Sequence, residues 1–451
     1  MRFYHIGINS YWYDELYEIT LAKHAPVELL SLRVYDPLKP PLFPVILSLW
    51  IGAFGSTETA TRSCALVLNL LALSLFIFLV CMVIKQTIPR LLTIALYSML
   101  WVNIWAAQQA NYYSLLILLS VAALVLWQRA MQHSTTWRIL LFAFVSALGA
   151  MTHYAFGIFI VAIFLTNWLF RSKRLSITYI FLTAIFLIPH ILLRLTVYVS
   201  HVPTWLRVST LHLLAKQFDS PAETPSRLFS ILVYGAHPWL LAILGLFVLY
   251  LSCLVLQKKE STGAQKQHVL LAMMLIPISF VTPLTSVLNN WYYYNFLVPS
   301  FILLLGIIYS RLRAHYFLLC TFIIGIVGIT NSYKLIQTIW ATPVWNYKEI
   351  ATYVVNRHIG RLAVDDCGTL WILKYYLSQH NYEIQSTCYK NLVYTDKPVN
   401  ASNKTGYLGL ETNGKFWHAA QAIITEEQNV SQDEIPYQAG DKGLLILKVY
   451  E

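Results

Sequence analysis

The chain has 451 residues, of which 57% are hydrophobic and only 12% are charged. Soluble globular proteins carry about 25% charged residues, so this composition excludes an ordinary soluble protein. The formal net charge is +11, but the placement of the basic residues between apolar blocks argues against nucleic acid as a partner.

The apolar residues are grouped in blocks long enough to cross a bilayer, for which about 20 residues suffice. Strands of an outer-membrane barrel would alternate in polarity instead, so we predict an all-α polytopic membrane bundle of about 10–11 transmembrane helices. In chain order the candidate spans are 62–84, 90–106, 112–129, 137–151, 155–170, 175–197, 230–256, 268–284, 296–310 and 316–333.

Ahead of this bundle, residues 1–57 contain an acidic pair, Asp14 and Glu15, in the run Ser-Tyr-Trp-Tyr-Asp-Glu. Neither Asp nor Glu occurs from 59 to 218 or from 261 to 348. Ionised carboxylates are expensive in hydrocarbon, so a spanning chain keeps its acids in loops and tails. The pair therefore indicates acid chemistry at a membrane surface.

An apolar stretch at 41–54 follows a proline-rich turn and is too short to span the bilayer. We predict a helix that lies along the interface. A translocated segment such as 1–57 normally follows a signal sequence or a helix, and none precedes it, so we expect the coding start to lie upstream of Met1.

Basic residues occur in alternate connections between the spans, which is the positive-inside pattern of cytoplasmic loops. These residues are Lys85, Arg90, Arg129, Arg138, Arg171, Lys173, Arg174, Lys258, Lys259, Lys266, Arg311 and Arg313. The turns at 107–111, 152–154 and 285–295 carry neither Lys nor Arg. Counting spans then places three segments outside the cytoplasm: 1–57, 198–228 and 334–451.

The tail from 334 to 451 has a soluble composition and predicts a small extracytoplasmic α/β domain. We expect helices at 347–358 and 369–380, with strands at 361–364, 382–387 and 443–449. The chain would thus divide into a first loop (1–57), a transmembrane bundle (58–333) and this C-terminal domain.

Five short motifs occur along the chain in a characteristic order. They are Tyr-Trp-Tyr-Asp14-Glu15, Lys39-Pro-Pro-Leu-Phe, Phe54-Gly-Ser-Thr-Glu58-Thr-Ala-Thr-Arg62, Gln108-Gln-Ala-Asn-Tyr-Tyr-Ser-Leu115 and Thr152-His153-Tyr154. The fourth resembles the signature Gln-Glu-Ala-Arg-x-Tyr-Ser-Leu. Together with the topology, the motifs resemble the GT-C membrane glycosyltransferases, and within these family 39, to which the protein O-mannosyltransferases and the aminoarabinose transferases of lipid A are related.

The resemblance implies inverting transfer of a sugar from a polyprenyl-phosphate donor to an acceptor outside the inner membrane. The acceptor would be a lipid, a glycan or a protein hydroxyl. Asp14 matches the family's general base, which deprotonates the acceptor hydroxyl, and Glu15 would orient the acceptor or share the proton. Alternatively, both carboxylates only stabilise the N-terminus of an interfacial helix.

Two cations are candidates for the donor phosphate. Lys39, between two prolines, offers a compact ammonium for the phosphate, or else lies at the lipid headgroups. Arg62 follows Glu58 by one helical turn, so it either contacts the phosphate or pairs with Glu58.

Four further residues would line the donor site by resemblance. Gln109 and Asn111 stand where the family signature has Glu and Arg, so two expected charges are neutral here. Tyr113 would otherwise belong to an interfacial aromatic belt, and His153 would otherwise be hydrogen-bonded at a helix end.

Two other functions stay open at this stage: a lipid or polysaccharide transporter, and a catalytically degraded scaffold of the same fold. A transporter would show paired, interrupted helices or intramembrane acids, and neither is seen. No Cys-x-x-Cys or His-x-x-x-His pattern indicates a metal site, although a first-loop acid pair is compatible with a divalent cation as well as with metal-free transfer.

Overall fold

A computed structural model gives the structure of the chain. It describes residues 2–3, 6–31, 40–133, 135–170, 173–201, 248–250, 252–257, 261–281, 295–311, 347–356, 358, 361–364, 367–388, 405–410, 433–438 and 444–450. The chain divides into two compact units. The helical unit comprises Met1–Tyr4, Leu21–Ser56 and Ala60–Thr338, and the mixed unit comprises His5–Thr20, Thr57–Thr59 and Ile339–Glu451.

Most described residues of the helical unit are α-helical. In chain order, beginning with a helix that lies mainly in the mixed unit, the helices are α1 (Tyr13–Ala22), α2 (Pro26–Leu30), α3 (Leu42–Phe54), α4 (Glu58–Val83), α5 (Thr87–Met99), α6 (Trp101–Ala107), α7 (Tyr113–Gln132), α8 (Thr136–Ala150), α9 (Phe156–Phe170), α10 (Lys173–His201), α11 (Gly263–Val281) and α12 (Val298–Arg311).

Among the described residues, three helices are long and apolar enough to cross a membrane: α4, α7 and the part of α10 from Lys173 to Thr196. The helices α5 and α6 together pass the same test, but they are bent by 48°. The bend occurs at Leu100, whose extended backbone interrupts the helix. The chain is therefore a membrane protein with several apolar helices.

Several predicted spans correspond to helices that are shorter than a full crossing. The helices α8 and α9 have 15 residues each, and α12 has 14. The prediction at 268–284 overlaps α11. The predicted span at 316–333 lies outside the described residues, as does most of the one at 230–256.

The predicted short helix is present as α3. Its 13 residues extend about 20 Å at about 1.5 Å per residue, which is less than the roughly 30 Å of a hydrocarbon core. It ends at Gly55, whose φ of 87° lies in the left-handed region that glycine adopts without strain. Phe43 and Leu47 are buried, whereas Leu49 and Phe54 are exposed, so the helix has one packed face and one apolar exposed face.

The ends of α4, α11 and α12 meet where the predicted cytoplasmic charges occur. Arg311 donates from Nε to Oε1 of Gln265 at 2.8 Å, and Gln265 donates from Nε2 to the carbonyl of Val83 at 3.1 Å. Nearby, Gly306 allows α12 to approach α5, because a Cβ there would meet the side chains of Thr93 and Ile84. Close packing at a small residue is typical of helix contacts within membranes.

The described part of the mixed unit includes two helices and five strands besides most of α1. They are α13 (Tyr347–Asn356), β1 (Arg361–Val364), α14 (Cys367–Gln379), β2 (Gln385–Cys388), β3 (Thr405–Leu410), β4 (Asp433–Gln438) and β5 (Leu444–Tyr450). The strands form one sheet in the order β2-β1-β3-β5-β4. The strand β1 is parallel to β2 and β3, while β5 is antiparallel to β3 and β4. Parallel pairing of β1 and β2 requires a crossover, and α14 is that crossover.

Candidate functional site

The helix α1 carries three acids within two turns. Asp14 and Glu15 lie in the first turn, where negative charge is favoured by the helix dipole. Glu15 is fully buried, and its Oε2 accepts a hydrogen bond from the backbone N–H of Trp12 at 3.4 Å. Asp14 is half-exposed. Of the two predicted catalytic residues, Glu15 therefore has a capping contact and is buried, and Asp14 is the more exposed.

The third acid, Glu18, is also buried and was not among the residues selected from the sequence. It follows Asp14 by four positions and Glu15 by three, so all three carboxylates project from neighbouring positions on one helix. That spacing is the signal which could have identified Glu18. Burial of two acids on a ten-residue helix is unusual, because carboxylates are rarely buried without a functional or structural partner.

The segment that leads into α1 is held by the helices of the mixed unit. The backbone N–H of Tyr11 donates to Oη of Tyr376 at 2.6 Å, and Tyr376 donates from Oη to Oε1 of Glu58 at 3.0 Å. Lys348 contacts the same Glu58 oxygen through Nζ at 2.8 Å, and its backbone N–H donates to Oγ of Ser10 at 3.0 Å. We call Ser10, Tyr11, Glu58, Lys348 and Tyr376 the anchoring network.

Tyr376 acts in this network as a protonated phenol. Burial raises the pKa of its hydroxyl, and the carboxylate of Glu58 raises that pKa further. The hydroxyl therefore keeps its proton over the physiological pH range and can donate to Glu58 while accepting from Tyr11.

Aromatic rings pack α1 against α14. The ring of Tyr13 meets Trp371 edge-on at a centroid distance of 5.4 Å, and Tyr17 meets the same ring at 6.5 Å. Tyr11 lies 6.4 Å from Tyr376 in a stacked arrangement. Such aromatic pairs stabilise the fold by more than the buried area alone would give. The contacts therefore fix the position of α1 on α14.

In the helical unit, the other predicted residues lie in the connection from α6 to α7. Asn111 is fully buried, and its Oδ1 accepts from the N–H of Tyr112 at 2.7 Å. Its Nδ2 makes no hydrogen bond to any described residue, and neither does Oε1 of Gln109. The connection is closed by Ser114, which donates from Oγ to the carbonyl of Ala106 at 2.9 Å.

His153 lies in the connection from α8 to α9 and meets the α6–α7 connection through an aromatic contact. Its ring stacks on Tyr112 at 5.1 Å, and Nδ1 accepts from the N–H of Ala155 at 3.2 Å. Because Nδ1 accepts this hydrogen bond, the proton of the neutral imidazole tautomer lies on Nε2. Tyr113 is buried and packs on Trp105 at 5.0 Å.

The start of α3 reaches the same place, because Leu42 donates its N–H to the carbonyl of Met151 at 3.3 Å. The helical unit thus brings together Gln109, Asn111, Tyr113 and His153. Arg62 is buried in α4, with 3% of its surface exposed. Lys39 lies outside the described residues, three positions before Leu42 in the sequence.

The described residues hold no group of three or more His, Cys, Asp or Glu side chains arranged as metal ligands. The two groups offer a half-buried carboxylate at Asp14 and a buried amide donor at Asn111.

No protein-family model matches the sequence, and no curated protein matches it. Among solved structures, the chain is similar to the crystal structure of ArnT from Cupriavidus metallidurans bound to undecaprenyl phosphate. The TM-score is 0.59 and the identity 9%, over 99% of this chain and 96% of that one. The crystal structure of the same protein in the apo state gives a TM-score of 0.44 at 10% identity, over 99% and 95%. The similarity to the lipid-bound structure shows that the chain has the GT-C fold.

Proposed function

We propose that this protein is a membrane glycosyltransferase that transfers a sugar from a polyprenyl-phosphate donor to an acceptor outside the cytoplasm. The observation that carries the proposal is similarity of fold over nearly the whole chain to a structure that contains undecaprenyl phosphate. The accessible Asp14 in a first-loop helix and the four polar or aromatic residues of the helical unit add to it. Fold alone does not imply function, so the chemistry is argued from these side chains.

Asp14 is the proposed general base. As the acceptor oxygen forms its bond to the anomeric carbon, the hydroxyl proton passes to the Asp14 carboxylate, and the bond from that carbon to the phosphate oxygen breaks. Polyprenyl phosphate leaves from the opposite face, so the anomeric configuration inverts. Half-exposure suits Asp14 for this task, because the acceptor must reach it, whereas the buried Glu15 and Glu18 support the helix that carries it.

The donor headgroup is proposed to meet the α6–α7 and α8–α9 connections. Nδ2 of Asn111 is a buried donor whose hydrogen bond would be made to the bound lipid phosphate or sugar. Gln109 adds an amide, and the ring of His153 lies beside the same connection, stacked on Tyr112. A leaving phosphate also gains negative charge, which neutral donors compensate only in part. Lys39 and Arg62 are the proposed cations. Lys39 lies three positions before Leu42, whose N–H donates to the carbonyl of Met151.

The proposed site is on the extracytoplasmic side of the cell inner membrane. Arg129 lies in the last turn of α7, Lys173 begins α10 and Arg311 ends α12, whereas the α6–α7 and α8–α9 connections contain no Lys or Arg. Cationic ends face the cytoplasm in multi-pass proteins. The acceptor is a hydroxyl of a lipid, a glycan or a protein.

A transfer assay with the purified full-length protein tests the proposal. The protein in lipid nanodiscs is incubated with a panel of polyprenyl-phosphate sugars and with lipid, glycan and peptide acceptors. We expect release of polyprenyl phosphate and a product of inverted configuration with at least one pair. If every pair yields no product, and the protein instead moves the labelled donor across a vesicle membrane, the protein is a transporter. Donor binding without either activity would identify a scaffold.

A further inference from the structure

We propose that Tyr376 is a positioning residue for the reaction, because it holds the segment that aims Asp14. The inference rests on the proposed function, since it assigns to the C-terminal part of the chain a role in the transfer that Asp14 performs. Tyr376 itself touches neither reacting group; it acts through the backbone of Tyr11, three residues before Asp14.

The hydroxyl of Tyr376 joins two segments that are remote in sequence. It accepts from Tyr11 N–H at 2.6 Å across 365 residues, and it donates to Glu58 at 3.0 Å across 318 residues. Tyr11 is fully buried. An amide in such a place has no water to replace a lost acceptor, so the bond to Tyr376 determines where this backbone lies.

Lys348 secures the same segment from the other side. Its ammonium contacts Glu58 at 2.8 Å, and its backbone N–H bonds the side chain of Ser10 at 3.0 Å. The Glu58 side chain is only 13% exposed, and it receives both the phenol and the ammonium. Adjacent residues of the chain, Ser10 and Tyr11, are thus tied to two different helices of the mixed unit.

The helix α1 needs such support. It has ten residues, and isolated helices of that length are marginal in water. Its conformation therefore depends on packing, which includes the contacts of Tyr13 and Tyr17 with Trp371, and on the anchored backbone that enters it. Displacement of a catalytic group by about 1 Å can lower a rate by about a hundredfold. A small rotation of α1 would move Asp14 by such a distance without unfolding anything.

The test compares Tyr376→Phe with Tyr375→Phe in the full-length protein. Each change removes one phenolic oxygen from α14 and leaves an aromatic ring. The Tyr375 hydroxyl bonds Gln379 of the same helix, and burial and the Glu58 carboxylate raise its pKa, but the hydrogen bonds from Tyr11 and to Glu58 are made by Tyr376 and remain after this change. We expect Tyr376→Phe to lower kcat about tenfold, equal to about 1.4 kcal/mol in the barrier, with donor KM changed less than about twofold. Tyr375→Phe should behave as wild type.

Hydrogen–deuterium exchange supplies a readout that does not depend on activity. Residues 10–20 should exchange faster in Tyr376→Phe than in wild type or Tyr375→Phe, while exchange in α7 and in α4 beyond its first turn stays unchanged. Lys348→Met should produce a similar local change, and Lys348→Arg, which retains the cation, should restore protection and kcat. The pH profile of kcat should keep its shape in all four variants, because none of them alters the base.

Two results would overturn the inference. One is normal kcat and normal exchange in Tyr376→Phe. The other is an equal loss of kcat, donor affinity and thermal stability in Tyr376→Phe, which would indicate a general structural role. If wild-type protein transfers no sugar, the proposed function fails. The exchange rate of residues 10–20 in Tyr376→Phe, compared with wild type, still tests whether Tyr376 anchors the segment. If wild type is active and Asp14→Asn is not, a silent Tyr376→Phe refutes the positioning role alone.

Discussion

Replacing Asn111 with aspartate tests whether its buried amide contacts the donor. Aspartate has nearly the same shape and retains an oxygen that can accept from Tyr112 N–H, now at 2.7 Å, so the start of α7 should be preserved. What disappears is Nδ2, which has no partner among the described residues. A hydrogen bond to a charged group contributes about 1.5–3 kcal/mol, which corresponds to roughly 10–150-fold in affinity. A carboxylate would also repel the donor phosphate.

We therefore expect Asn111→Asp to raise the donor KM by at least about tenfold, measured with radiolabelled polyprenyl-phosphate sugar and purified protein. The matched control is Asn103→Asp in the preceding helix. Asn103 is equally buried, but its Nδ2 donates to the carbonyl of Tyr97 at 2.9 Å, so the change should lower thermal stability and leave donor KM unaltered. Equal donor KM values for the two variants would show that Asn111 does not contact the donor.

Three further predictions concern charge, topology and packing. Lys39→Ala should raise donor KM far more than Lys216→Ala, because only Lys39 belongs to a donor motif; equal effects would remove it from the site. Reporter fusions at Lys173 should appear cytoplasmic and those at the C-terminus extracytoplasmic, and a cytoplasmic C-terminus would contradict the proposed location. Gly306→Ala should cost about 1–3 kcal/mol by overpacking against Thr93 and lower the melting temperature in detergent, whereas Gly52→Ala, with no atom within 4 Å of its added methyl, should not.

The helices were the readily predictable part of the fold. The span predicted at 62–84 is the helix Glu58–Val83, and the one at 112–129 is Tyr113–Gln132. Long apolar runs can satisfy their backbone in a membrane only as helices, so composition alone determines their structure. The bend at Leu100 was not predicted, because the run at 90–106 contains neither proline nor glycine to indicate an interruption.

The site was less predictable, because its contacts join distant parts of the sequence. For Glu58, local spacing suggested Arg62 as a partner, and the structure adds Lys348 and Tyr376, which are remote in the sequence. Helical periodicity reports only on neighbours three or four positions away. Glu18 could have been found by that periodicity, since it follows Asp14 by one turn. The roles of Asp14 and of the neutral Asn111 stay predictions, which only measurements of transfer can test.

Turnover by Asp14→Asn protein, compared with Glu15→Gln, decides whether the first-loop carboxylate performs the chemistry. Asparagine has the shape of aspartate but cannot take the acceptor proton, so kcat should fall by roughly 10²–10⁴-fold while donor binding is retained. Glu15→Gln should cost less, because the buried Glu15 contacts the backbone of Trp12. Transfer by Asp14→Asn at a rate near that of wild type would contradict the proposed general base and leave Asp14 with only a helix-capping role.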